Sequence, residues 1–202
     1  MDWAKFFELI LRWLHVFAGI VWIGHLYFFN FVNVPFQGTM DKDTKRKVNP
    51  ALLPRALWWF RWGAMITFLA GLGLFVLLYL HQGLLTDSFG DVSDRAMWIL
   101  FGMLLGSVMW FNVWFVIWPA QKKLIAWTRD GLAPPEQPAL AKRALLASRA
   151  NSYLSGPMLF GMLAGAAHYP SMQFPAFGIA VVLGLVAIYA AIQHSRKVGT
   201  TI

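Results

Sequence analysis

The segment RWLHVFAGIVWIGHLYFFN, Arg12 to Asn30, sets a cation and two imidazoles, His15 and His25, inside a run apolar enough to cross a bilayer. His81, His168 and His194 complete the histidines of the chain. Ionisable side chains in hydrocarbon are expensive and mark functional positions by default. The chemistry open to them is ligation, proton transfer or interhelical hydrogen bonding. Thiolate ligands, iron–sulfur clusters and disulfides are excluded, because the chain has no cysteine. Glu8 is the only acid within an apolar run, so a carboxylate proton path or ion-transport site has no support.

Two imidazoles projected from facing helices of a small bundle form a ligand set for haem b. His15 is the expected first ligand. Arg12 lies one turn before it, Gly19 one turn after and Trp22 two turns on, so all four share one helix face. In that arrangement Gly19 admits the macrocycle, Trp22 covers it and Arg12 pairs a propionate. Arg12 snorkelling to the interface is the plainer alternative. His168 is the expected second ligand, so the metal role falls on His15 and His168. His25 is either a further cofactor contact or a hydrogen-bonding group between helices. His81 and His194 end apolar runs, where an interfacial histidine is ordinary. One haem b is expected, and the inner histidines leave room for a second. No catalytic residue is assigned.

The elements that must hold these residues are legible from composition. The chain has 202 residues, 58% hydrophobic and 13% charged. About 20 apolar residues span the hydrocarbon core as a helix. Five such runs occur, at 7–30, 57–80, 97–119, 150–167 and 174–193. They predict an all-α integral membrane bundle of five transmembrane helices forming a single membrane domain, 1–202. The first run contains Arg12 and lacks a small-residue cleavage site, so it is expected to stay in place as a helix. The stretch from Asp130 to Arg149 reads as a proline-interrupted loop followed by an interfacial helix, ALAKRALLASR. Small residues such as Ala70, Gly71 and Gly73 in the second run suit close helix packing.

The net charge of +8 is unevenly placed. Every Lys and Arg except Lys5, Arg12 and Arg95 falls in 41–61, in 121–149 or after the last helix. That asymmetry predicts a periplasmic N-terminus and a cytoplasmic C-terminus in a bacterial inner (plasma) membrane. It accounts for the basic balance through orientation and contact with membrane lipids, with no nucleic-acid partner.

The segments RWLHVFAGIVWIG, WWFRWGA, GSVMWFNVWFVIWPAQKKL and NSYLSGPMLFGMLAGAAHYP resemble, in that order, the membrane domain of the PuuD-type bacterial urate hydroxylases. Those proteins oxidise urate and carry a cytochrome c domain after their helices. The likeness marks Arg12, His15, Trp22 and Gly24, then Trp59, Phe60, Arg61 and Trp62. Further on it marks Asn112, Pro119, Gln121 and Lys122, and then Asn151, Tyr153, Pro157, Met162, His168 and Pro170. The resembled pattern has a histidine where this chain has Trp58 and a glutamate where it has Gly63. The spacing of His15, Trp22 and Gly24 is also similar to the first helix of short membrane protoporphyrinogen oxidases and copper-resistance membrane proteins.

The resemblance and the histidines together imply a haem b membrane redox protein, working with a cytochrome c or a larger membrane redox complex. A membrane oxidase of urate or a porphyrinogen is the enzymatic alternative. A cofactor-free accessory subunit of a respiratory or photosynthetic complex is the third.

Overall fold

The computed structural model describes residues 2–169 and 171–198, without the side chains of Ala167 and His168. Five helical rods follow one another: α1 (Trp3–Thr39), α2 (Lys42–His81), α3 (Asp94–Asp130), α4 (Gln137–Leu163, prolonged by the turn Ala164–His168) and α5 (Phe174–Ser195). Their ends have local causes. The side chains of Asp2, Asp41 and Ser93 accept from the N–H groups of Lys5, Thr44 and Ala96 at 3.2, 2.8 and 3.1 Å, capping α1, α2 and α3. Pro138 and Pro175 sit in the first turns of α4 and α5, where a missing N–H costs nothing. Gly131, in the left-handed region at φ +70°, stops α3.

Four rods contain a wider π-helical turn, at Phe28–Asn33, Val76–His81, Asn112–Ile117 and Ala164–His168. The first and third lie just ahead of Pro35 and Pro119. A proline cannot donate to the helical ladder and crowds the carbonyl one turn back; an added residue opens the ladder there.

Two elements differ from the sequence expectation. The second helix was expected from residue 57, after Pro54, yet α2 begins at Lys42 and runs through Pro50 and Pro54. The Asp41 cap starts it, and burial of Leu53, Ala56 and Leu57 holds it past the prolines. The expected interfacial helix is not separate either. ALAKRALLASR is rich in strong helix formers, and it continues unbroken into the fourth apolar run as α4.

Four rods, α1, α2, α3 and α5, are long and apolar enough to cross a membrane. The first three have 37, 40 and 37 residues. At about 1.5 Å per residue each exceeds a hydrocarbon core of roughly 30 Å. The surplus turns carry most of the basic residues and meet at one end of the bundle, where Arg46 Nε donates to the Arg129 carbonyl at 3.1 Å. The chain is an all-α, multi-pass membrane protein.

α4 is less apolar than the others because of Asn151, Ser152 and Ser155, all fully buried. It packs against α3 and α5 and also meets α1, so these polar groups face protein. Asn151 accepts from Asn112 Nδ2 at 2.8 Å and donates to the Met109 carbonyl at 2.9 Å. The core between α1, α2, α3 and α4 is built on Trp22, Leu26, Phe60, Ala64, Met109, Val113 and Met158. Outward-facing Trp13, Ile20, Leu69, Leu104 and Val182 offer apolar surface to lipid. α4 and α5 cross closely at a pair of glycines: a Cβ on Gly156 would lie 2.5 Å from the carbonyl oxygen of Gly184.

Candidate functional site

α1 and α2 run side by side along an extensive interface, and His15 projects into it. His15 Nδ1 lies 2.8 Å from the carbonyl oxygen of Thr67. A carbonyl only accepts, so Nδ1 is the protonated nitrogen, and in a neutral ring Nε2 keeps its lone pair. Room for the ring comes from Gly71, one turn beyond Thr67. A Cβ there would stand 2.8 Å from His15 Cε1. The Thr67 hydroxyl donates to the Gly63 carbonyl at 2.7 Å, so its side chain turns back along α2.

The neighbours of His15 chosen from sequence have the following protein contacts. Arg12 Nε pairs with Glu8 Oε1 at 2.7 Å, one turn back on α1. Gly19 faces Thr67, whose Cγ2 would be 3.8 Å from an added Cβ. Trp22 is 3% exposed within the apolar core, and its Nε1 has no hydrogen-bond partner among the described residues. Gly19 and Trp22 thus take part in helix packing, and Arg12 in an intrahelical ion pair.

His25 Nδ1 bonds the Val21 carbonyl of its own helix at 2.7 Å, again leaving Nε2 open. His81 and His194 are exposed at helix ends. The His168 side chain lies outside the described residues, so its pairing with His15 does too. The backbone turn that carries it packs on α3, where Arg95 Nε donates to the Gly165 carbonyl at 2.9 Å.

Sequence reasoning missed two features. Thr67 and Gly71 were each legible, as an intramembrane polar residue and a small one, but their convergence on His15 was not. The second is a cation–aromatic group between α2 and α3. Arg61 Cζ lies 4.0 Å from the Trp118 ring centroid and 5.7 Å from that of Trp114. Its signal was the pair of motifs WWFRW and IWPAQKK, each with cations beside tryptophans.

A family profile described as urate oxidase N-terminal matches residues 36–87 and 85–198. The chain belongs to the urate oxidase N-terminal family. No curated protein and no solved structure matches it. Within this family member, the two positions that depart from the resembled pattern are now placed. Trp58 is 46% exposed and turned outward. Gly63 lies against α1, where a Cβ would stand 3.1 Å from the Trp22 backbone nitrogen and 3.3 Å from the Ala18 carbonyl. Any side chain at 63 would require its neighbours on α1 to give by a few tenths of an ångström.

The donor chemistry at His15 fits an axial haem ligand. A ligating imidazole characteristically ties its other N–H to a carbonyl or carboxylate, which fixes the tautomer and raises the basicity of the ligating nitrogen. Among the described residues, no three His, Asp or Glu side chains gather to hold an ion. A haem supplies four nitrogens of its own and asks the protein for one or two.

Proposed function

We propose that this urate oxidase N-terminal family member is a haem b-binding membrane redox protein, with His15 as an axial ligand. The observation that carries this reading is the His15 Nδ1 to Thr67 carbonyl bond, which leaves Nε2 available. In the same reading the N-terminus is periplasmic, the C-terminus is cytoplasmic, and the membrane is the bacterial plasma membrane. His168 is the second ligand. The partner is a cytochrome c or a larger redox complex that meets the outer face.

Bound haem b supplies reversible one-electron transfer. The chain's own residues do the rest. Thr67 orients the imidazole through its carbonyl, and Gly71 leaves the space in which the ring rests. Glu8 neutralises Arg12 within α1, and the remaining guanidinium N–H groups are free to meet a propionate. The apolar core around Trp22 keeps water from this part of the α1–α2 interface.

The family's description favours a second reading, oxidation of urate by the assembled system. Trp58 and Gly63 supply no proton-handling group, so the isolated chain is expected not to turn over urate with an artificial acceptor. Reduced-minus-oxidised spectra of the purified protein separate the readings. A low-spin haem spectrum without urate turnover supports the electron-transfer role. Urate turnover by the chain alone overturns it in favour of the oxidase. A featureless difference spectrum leaves the accessory-subunit reading in its place.

A further inference from the structure

Arg61 and Lys122 lie against one tryptophan. Arg61 Cζ is 4.0 Å from the Trp118 ring centroid and Lys122 Nζ is 5.4 Å from it, so the two charges can be no further apart than those distances combined. Neither forms an ion pair among the described residues. Sequence explains why: no Asp or Glu lies between Asp43 and Asp87 on α2, or between Asp94 and Asp130 on α3. Arg61 Nε is moreover buried with no hydrogen-bond partner among the described residues. A cation–aromatic contact stabilises the charge but leaves the guanidinium N–H groups unanswered. Two uncompensated cations with an open N–H call for an oxyanion.

The surroundings indicate which kind. Trp58, Trp59 and Trp62 are exposed at this level of α2, as in the aromatic belt where a membrane meets water. From there an apolar stripe of Trp62, Ile66 and Leu69 leads along α2, all outward-facing. Phe111 and Phe115 do the same on α3. A soluble anion would have no use for those stripes, whereas acyl chains would lie along them.

We propose that Arg61, Lys122 and Trp118 form a binding site for the phosphate of an anionic phospholipid, with the acyl chains along the exposed faces of α2 and α3. Arg61 presents its planar fork to two phosphate oxygens, which a lysine cannot do. Lys122, exposed at the rim, adds a point charge. This site is independent of the haem reading and stands or falls separately.

The test is thermal unfolding of the purified full chain in detergent, titrated with phosphatidylglycerol, with phosphatidylcholine or with inorganic phosphate. Phosphatidylglycerol should raise the unfolding midpoint, and phosphatidylcholine should not. Arg61→Gln and Lys122→Gln should each raise the half-saturating phosphatidylglycerol concentration roughly fivefold, the effect of one cation near an anionic lipid. Lys42→Gln, an exposed cation at the same end of the bundle, should leave it unchanged. If Arg61→Gln fails to fold, Lys122→Gln and its restoration by Lys122→Arg still decide the matter. An equal response in Lys122→Gln and the unaltered protein overturns the site. An equal loss in Lys42→Gln reduces it to diffuse electrostatics. Full stabilisation by inorganic phosphate overturns the lipid assignment in favour of a free oxyanion.

Discussion

His15 on α1 donates through Nδ1 to the carbonyl of Thr67 on α2 at 2.8 Å, and Gly71 provides the space in which its ring rests. The carbonyl of Thr67 also belongs to the α2 ladder, so this one bond ties a titratable ring to a neighbouring rod without using any side chain of that rod. An imidazole held so is fixed in tautomer and in direction.

Gly71→Ala tests that seat. Its Cβ would stand 2.8 Å from His15 Cε1, so the ring or the helix must move. Overpacking of this kind costs about 1–3 kcal/mol. The unfolding midpoint in detergent should fall. Gly178→Ala, where nothing lies within 4 Å of the added carbon, should leave it level or slightly higher. Equal midpoints for the two variants would show that His15 is loosely held.

The crossing of α4 and α5 should be less forgiving still. A Cβ on Gly156 meets the Gly184 carbonyl oxygen at 2.5 Å, and backbone cannot swing aside as a ring can. Gly156→Ala is therefore expected to lower the midpoint more than Gly71→Ala. Size-exclusion profiles should show a greater share of aggregate. A smaller loss than for Gly71→Ala would mean that α5 shifts easily on α4.

How much of this was legible beforehand depended on the kind of signal. The five apolar runs marked the rods, because their length and composition are local properties. The starts of α2 and α4 were misplaced, since Pro50, Pro54 and the polar ALAKRALLASR were read as interruptions of a membrane span. Helices do not end where the membrane does, and a capped, partly buried helix can pass through a proline. At the site, His15, Thr67 and Gly71 were each noticeable. Their meeting depends on the rotation of α1 about α2, which no spacing within one helix encodes. The same rotation places Gly19 opposite Thr67 and Trp22 in the core.

Asn112 and Asn151 supply a polar contact that should be measurable on its own. Their 2.8 Å bond is inside the bundle, and Asn151 is fully buried. A double-mutant cycle with Asn112→Ala and Asn151→Ala should give a coupling of about 0.6 kcal/mol, and no more than roughly 1.7 kcal/mol. Additive effects would show that the two amides bond elsewhere.

The proposed orientation, with a cytoplasmic C-terminus, rests on the placement of the basic residues at the end where the surplus turns meet. A reporter fused after Ile202 should be active only in the cytoplasm. Activity on the periplasmic side would invert the bundle and move His15 to the inner half of the membrane.

Haem content per polypeptide, measured by pyridine haemochrome on the purified protein and on His15→Ala, bears most directly on the central claim. The control is His81→Ala, which alters an exposed histidine at a helix end. Bound haem b is expected in a near-integral ratio for the unaltered chain and for His81→Ala. Loss of the low-spin spectrum, with most of the haem, is expected in His15→Ala. Thermal unfolding of His15→Ala should meanwhile show that the bundle still forms. A normal haem content and an unchanged low-spin spectrum in a folded His15→Ala protein would contradict the account.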